Sequence, residues 1–199
     1  MTGGPERASD GHAAARTDRL PEAGVDAREE EGAVVWITGF RASGKTTVAC
    51  ELVARMRERW PGTVLLDGDE LRAAFEHDLG YDRDDRRRAA RRYARLARLL
   101  ARQRLHVVVA TVSLFADVHR WNREHLPGYL EVYLRVPLAL REARDRRRGE
   151  TRPPVGGVAD DAPTTPDLVI DDHGDLDPHE IAQRILTRLV PALPLERGR

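Results

Sequence analysis

The chain has 199 residues, enough for one domain with a proper core. Its 33 basic and 33 acidic side chains cancel to a formal net charge of zero, which excludes a global field drawing it to nucleic acid or to a membrane surface. A single cysteine, Cys50, excludes a disulfide framework and fits a reducing cytoplasm, and without an 18-residue apolar run or an apolar leader the sequence predicts neither a membrane helix nor a secretion signal.

Residues 1–31 are rich in Gly, Ala, Arg, Asp and Glu and read as a disordered tail. A β-branched strand is predicted from Ala33 to Thr38, and a helix from Lys45 to Trp60 with Val48, Leu52, Val53 and Met56 at helical spacing. Cys50 is read into the packed side of that helix. Pro61-Gly62 ends it. A short strand, Thr63 to Leu66, leads into Asp67-Gly68-Asp69, followed by a helical piece from Glu70 to Glu76 and a loop through Gly80. An arginine-rich helix is predicted from Arg83 to Arg104, with Ala89, Tyr93, Leu96 and Leu100 as its core face. A buried strand from Leu105 to Val112 and a weakly amphipathic helix from Phe115 to His125 come next. A strand from Tyr129 to Val136 leads to a helix opened by Pro137 and running through Arg146. Residues 147–166 form a basic, irregular, Pro/Gly-rich segment. A strand from Asp167 to Ile170 precedes a last helix with Asp177 as N-cap, Pro178 at its first position and Glu180 completing a capping box. Ile181, Ile185, Leu186 and Leu189 form its core face, and 192–199 is a tail. Strands alternating with helices predict an α/β fold, a mostly parallel sheet between two helical layers, whose ligand sits at the carboxyl ends of the strands.

The first strand breaks into the strongest motif of the chain. Gly39, Gly44, Lys45 and Thr46 satisfy G-x-x-x-x-G-K-S/T, with Phe40, Arg41, Ala42 and Ser43 between the glycines and Thr47 after them. Polyphosphate needs several converging N–H donors, so the backbone must approach it closely, which glycine permits. The helix that begins at Lys45 aims its positive end at the same anion. Lys45 reaches the β- and γ-phosphates of ATP, and the Thr46 hydroxyl holds Mg²⁺. Lys45 is the only lysine in the chain, all other basic side chains being arginine. Such selective use fits a position that needs a compact, mobile point charge.

Asp67 and Asp69 end the second strand and supply two carboxylates near that loop. In phosphoryl transfer one holds the metal and the other accepts the proton of an attacking hydroxyl. Sequence favours Asp67 on the metal side and Asp69 as the base without deciding between them. Arg72 and Arg86 follow, and an acceptor carrying an oxyanion would use such guanidinium forks.

The series Leu66-Asp67-Gly68-Asp69, Leu71-Arg72, Asp78-Leu79-Gly80-Tyr81 and Asp84-Asp85-Arg86 resembles the adenylyl-sulfate kinase family. Glu142-Ala143-Arg144-Asp145 and Pro166-Asp167-Leu168-Val169-Ile170-Asp171 resemble it too, so the likeness spans about residues 33–190. It implies a P-loop kinase domain over about 32–191 with a five-stranded sheet and a short lid over about 147–166, ATP with Mg²⁺, and transfer of the γ-phosphate to the 3′-hydroxyl of a nucleotide such as adenylyl sulfate. It also implies acceptor contacts from Arg72, Arg86, Tyr81 and Ser113, an ATP-base contact from Arg144, and a homodimer. Four departures stand out: Arg41-Ala42 where the family has Ser-Gly, Ala89 where it has Asn, Ser113-Leu114 where it has Ser-Pro, and Pro153-Pro154-Val155-Gly156 in place of its aromatic lid motif. Ser113-Leu114-Phe115 and Trp121-Asn122-Arg123-Glu124 resemble a divergent branch that includes kinases acting on cytidine diphosphoramidate.

Rival readings come from other classes. The arginines from Arg86 to Arg98 would make a basic stripe for nucleic acid, but the net charge is zero and aromatic residues are only 5%, too few to interleave as stacking platforms. A regulatory GTPase needs a second lysine in its guanine-reading motif, which the chain lacks. A non-catalytic homologue is disfavoured by the intact Lys45, Thr46, Asp67 and Asp69.

Overall fold

The computed structural model describes residues 31–147, 162–172, 174 and 177–189. The expected N-terminal tail up to residue 30, most of the expected lid (148–161) and the 192–199 tail lie outside the described residues.

Five strands form one sheet: β1 (Val34–Thr38), β2 (Val64–Asp67), β3 (Val107–Thr111), β4 (Leu130–Arg135) and β5 (Leu168–Asp171). Their order is β2-β3-β1-β4-β5, and every pairing is parallel, so the expected mostly parallel sheet is wholly so. Parallel neighbours need crossovers, and helices supply them: α1 (Lys45–Arg59), α2 (Gly68–Ala74), α3 (Arg83–Ala101), α4 (Ala116–His125), α5 (Leu138–Arg147) and α6 (Pro178–Leu189).

The central strands β1 and β3 are buried on both faces, so their apolar runs are continuous rather than alternating. Alternation instead decides which layer each residue joins. Val35 and Ile37 pack with α1 and α6, while Val34 and Trp36 pack with α3 and α4. On α1 the buried face is Val48, Ala49, Leu52, Val53 and Met56. Cys50, expected in the core, is exposed. It lies one turn beyond the exposed Thr46, on the outer side of the same helix. On α3 the buried stripe is Ala89, Ala90, Tyr93, Ala94, Ala97 and Ala101. Leu96 and Leu100, expected at its centre, are only partly buried because the alanines bring the helix backbone close to the sheet. On α6, Ile181, Ala182, Ile185 and Leu189 are buried, Leu186 is partly so, and Asp177 caps the helix by accepting the His179 N–H at 3.0 Å.

Register places the site. Thr38 pairs with Thr111, and Asp67 with Ala110, so β2, β3 and β1 end at one level. The loops that leave those ends therefore meet over one edge of the sheet.

Candidate active site

The phosphate loop joins β1 to α1. A Cβ on Gly39 would sit 2.8 Å from the Leu134 carbonyl oxygen, so only glycine lets the loop turn there against β4. Gly44 has φ 89° and caps α1 in the left-handed region. No side chain caps α1, and its first turn carries no acid. In contrast, α2 and α3 are capped by the carboxylates of Asp67 and Asp82. The first N–H groups of α1 are thus left for an external anion. Lys45 Nζ donates to the Phe40 carbonyl at 2.8 Å and to Ser43 Oγ at 3.4 Å, so the ammonium spans its own loop.

Asp67 is 5% exposed and uses both oxygens. Oδ1 accepts from the backbone N–H of Asp69 at 2.9 Å, and Oδ2 accepts from Thr46 Oγ1 at 2.7 Å. This ties the end of β2 to the start of α1. Asp69, one residue into α2, is exposed toward the cavity beside the loop. Two carboxylates of identical chemistry are thereby separated: one buried and engaged, one presented.

A cavity of about 360 Å³ runs from the phosphate loop to α3. Lys45, Thr46, Thr47 and Asp67 line one half, and Arg72, Tyr81, Arg86, Ala89 and Tyr93 the other, with Gly68 and Thr111 between. Arg72 stacks on the Tyr81 ring at 4.6 Å and donates to the carbonyls of Leu79 and Gly80 at 3.2 and 3.0 Å. Gly80 is held in turn by Asp85, whose carboxylate accepts its N–H at 2.8 Å. Burial, then the neighbouring Arg72 charge, pushes the Arg86 guanidinium below the usual arginine value. Two like charges converging on one cavity mark a place for an anion.

Two residues expected at the site stand outside this cavity: Ser113, expected near the acceptor, and Arg144, expected near the ATP base. Ser113 is fully buried, its carbonyl accepting from Thr38 Oγ1 at 2.8 Å and lying 2.7 Å from His119 Nε2. That bond turns the chain inward after β3, so Thr111 and Val112 line the cavity instead. Arg144 lies outside, donating to Asp172 at 2.7 Å, with Nη1 4.0 Å from where a Gly44 Cβ would stand. Phe40 is under the Arg141 guanidinium at 4.7 Å.

Sequence reasoning also missed residues. Tyr93 was read only as core. It is 3% exposed, yet its phenol reaches the cavity floor and donates to the Gly68 carbonyl at 3.3 Å. The available signal was a tyrosine, not a phenylalanine, on a buried face, because a buried hydroxyl seeks a polar partner. Asp145 lines the cavity from α5, whereas the sequence offered it only within a stretch that resembles the family, with no role.

The pattern of the family described as adenylylsulphate kinase matches residues 31–171. The chain belongs to that family. It is therefore a kinase with a hydroxyl acceptor. An adenylyl-sulfate kinase of Paraburkholderia xenovorans is 37% identical over 169 residues, 80% of this chain and 93% of that protein. A cytidine diphosphoramidate kinase of Campylobacter jejuni is 34% identical over 114 residues, 57% of this chain and 66% of that protein. The structure of the Mycobacterium tuberculosis APS kinase in complex with AMPPNP and APS superposes with a TM-score of 0.66 at 30% identity, over 80% of this chain and 98% of that one. No helix among the described residues is long and apolar enough to cross a membrane.

Proposed function

We propose that this family member transfers the γ-phosphate of ATP to a hydroxyl of an anionic, nucleotide-like acceptor, with adenylyl sulfate as the type substrate. The observation that carries this reading is the pairing of an uncapped phosphate-loop helix with two converging guanidinium groups, Arg72 and Arg86, in one cavity. One end receives a polyphosphate and the other an oxyanion, and Asp69 stands between them.

The donors suit Mg²⁺. Thr46 Oγ1 and Asp67 Oδ2 are hard oxygens 2.7 Å apart, and no cluster of three or more acidic, His or Cys side chains that could hold a metal exists among the described residues. That matches an ion held by one or two protein oxygens, water and substrate phosphate rather than by a protein cage. When bound, Mg²⁺ supplies neutralising charge to the phosphate oxygens. The protein's own groups do the rest. Lys45 and the α1 N–H groups hold the polyphosphate, Arg72 and Arg86 hold the acceptor's anion, and Tyr81, kept in place by Arg72, offers a face for its base. Asp69 accepts the hydroxyl proton as the oxygen attacks the γ-phosphorus.

A second reading keeps the chemistry and changes the acceptor to a cytidine diphosphate derivative. The small Ala89 on the acceptor wall favours it, since the resemblance places an asparagine there. The test is ATP consumption with Mg²⁺ against a panel of adenylyl sulfate, a cytidine diphosphate derivative, other nucleotides and simple alcohols, with Lys45→Ala as control. Lys45-dependent turnover on adenylyl sulfate supports the type reaction. Turnover on the cytidine derivative with adenylyl sulfate inert supports the second reading. No Lys45-dependent turnover on any member overturns both.

A further inference from the structure

We propose that Arg41 is a further catalytic residue, a guanidinium that the phosphate loop itself supplies to the transferring phosphoryl group. The inference rests on the kinase reading and adds a group to it. Arg41 is the third residue of the loop, and it lines the same cavity as Lys45 and Thr46. Its Nε lies 3.6 Å from Asp145 Oδ1, and the two side chains are 20% and 18% exposed. This separation exceeds a good hydrogen bond, so the Asp145 contact itself is a weak one that a phosphate oxygen can replace.

The loop around Arg41 is held from one side. Arg141, Arg144 and Asp145 stand three and four residues apart on α5, hence on one face. Arg141 covers Phe40, Arg144 approaches Gly44, and Asp145 faces Arg41. The loop that carries Arg41 at the cavity edge is thereby braced from α5. Lys45 is deeper, 9% exposed and bonded within its own loop. The two cations thus approach the polyphosphate from different depths.

The chemistry balances. The acceptor oxygen forms a bond to the γ-phosphorus as the bond from that phosphorus to the β–γ bridging oxygen breaks. The hydroxyl proton passes to Asp69, and ADP leaves with the electron pair on its β-phosphate. The transferring group and the leaving oxygen carry the developing charge, and a planar guanidinium can bind both at once. Asp145 is a positioning residue, holding Arg41 at the cavity edge until phosphate takes its place.

The test uses the full chain with Mg²⁺ and two ligands, ADP alone and ADP with aluminium fluoride, a mimic of the transferring phosphoryl group. Arg41→Ala is expected to bind ADP as the parent does and to lose affinity for ADP with aluminium fluoride by roughly 1000-fold, the low side of what such an arginine contributes. The kcat on the accepted substrate should fall by a similar factor with little change in the KM for ATP. Arg41→Lys should recover part of both, because it restores charge without the fork. Equal loss of both ligands in Arg41→Ala would mean ground-state phosphate binding only, and no loss in either would mean a surface role. Either result overturns the proposal while leaving the kinase reading intact. A parent protein that binds neither ligand overturns the kinase reading, and this proposal with it.

Discussion

The two halves of the cavity are built by different means. The phosphate half is mostly backbone: a loop of eight consecutive residues, a glycine with φ 89° and a helix start left without a side-chain cap. The acceptor half is all side chain, drawn from α2, the 79–82 loop and α3, and it depends on secondary contacts such as Arg72 to the Gly80 carbonyl and Asp85 to the Gly80 N–H. Backbone geometry is set by a local pattern and tolerates little variation. Side chains on a shared scaffold can be exchanged one at a time. Conserving the phosphate chemistry while changing the acceptor therefore requires changes only in the second half.

Substitutions should separate the halves by size and kind of effect. Lys45→Ala strikes the phosphate half and is expected to lower kcat roughly 1000-fold on any accepted substrate, as removal of a preorganised charge at the reacting group does. Retention of more than a tenth of the activity would show that the α1 N–H groups and Arg41 suffice. Asp69→Asn stands at the boundary. It should lower kcat roughly 100- to 1000-fold with both KM values nearly unchanged, the signature of a lost general base. If Asp67→Asn instead gives that signature and Asp69→Asn only raises the acceptor KM, the two roles are exchanged. Arg72→Ala strikes the acceptor half. It removes a charge-assisted contact worth about 1.5–3 kcal/mol, so the acceptor KM should rise roughly 10- to 100-fold while the KM for ATP holds. An unchanged acceptor KM removes Arg72 from the binding site.

The contrast also explains what the sequence made legible. The phosphate loop, the Asp67–Asp69 pair and the alternation of strands and helices depend on residues adjacent in the chain, and all appear where expected. Strand ends moved by a residue: β2 extends to Asp67 and β5 runs Leu168–Asp171, because pairing in the sheet sets the end. Ser113 was misplaced toward the cavity because nothing local reveals that Thr38, 75 positions away, pulls its carbonyl inward. Cys50 is exposed rather than packed, because the usual burial of a cysteine says nothing of helical phase. The face occupied by Val48, Leu52 and Met56 excludes the face occupied by Thr46 and Cys50. Composition gives no ground for preferring Arg86 to Arg87 among the arginines of α3, and the resemblance alone singles out Arg86. Only the fold shows that Arg86 shares a cavity with Arg72 while Arg87 pairs with Asp117.

Tyr93 gives the smallest expected effect and the sharpest division between core and site. Its ring belongs to the α3 core, and its hydroxyl to the acceptor half. Burial raises the phenol above its ordinary value, with the Arg72 and Arg92 charges opposing, so it remains a neutral donor at neutral pH. Its bond to the Gly68 carbonyl at 3.3 Å is long for a hydroxyl donor, which leaves it ready to turn toward a polar group on the acceptor. Tyr93→Phe keeps the ring and deletes only that donor. The expected result is a roughly 3- to 10-fold rise in acceptor KM, with thermal stability and the KM for ATP unchanged, matching one neutral hydrogen bond of about 0.5–1.5 kcal/mol. A fall in thermal stability with an unchanged acceptor KM would assign the hydroxyl to holding Gly68, between the two aspartates, rather than to reading the substrate. Ala89, one turn earlier on the same face, would then be left as the α3 wall residue whose size sets which acceptor fits.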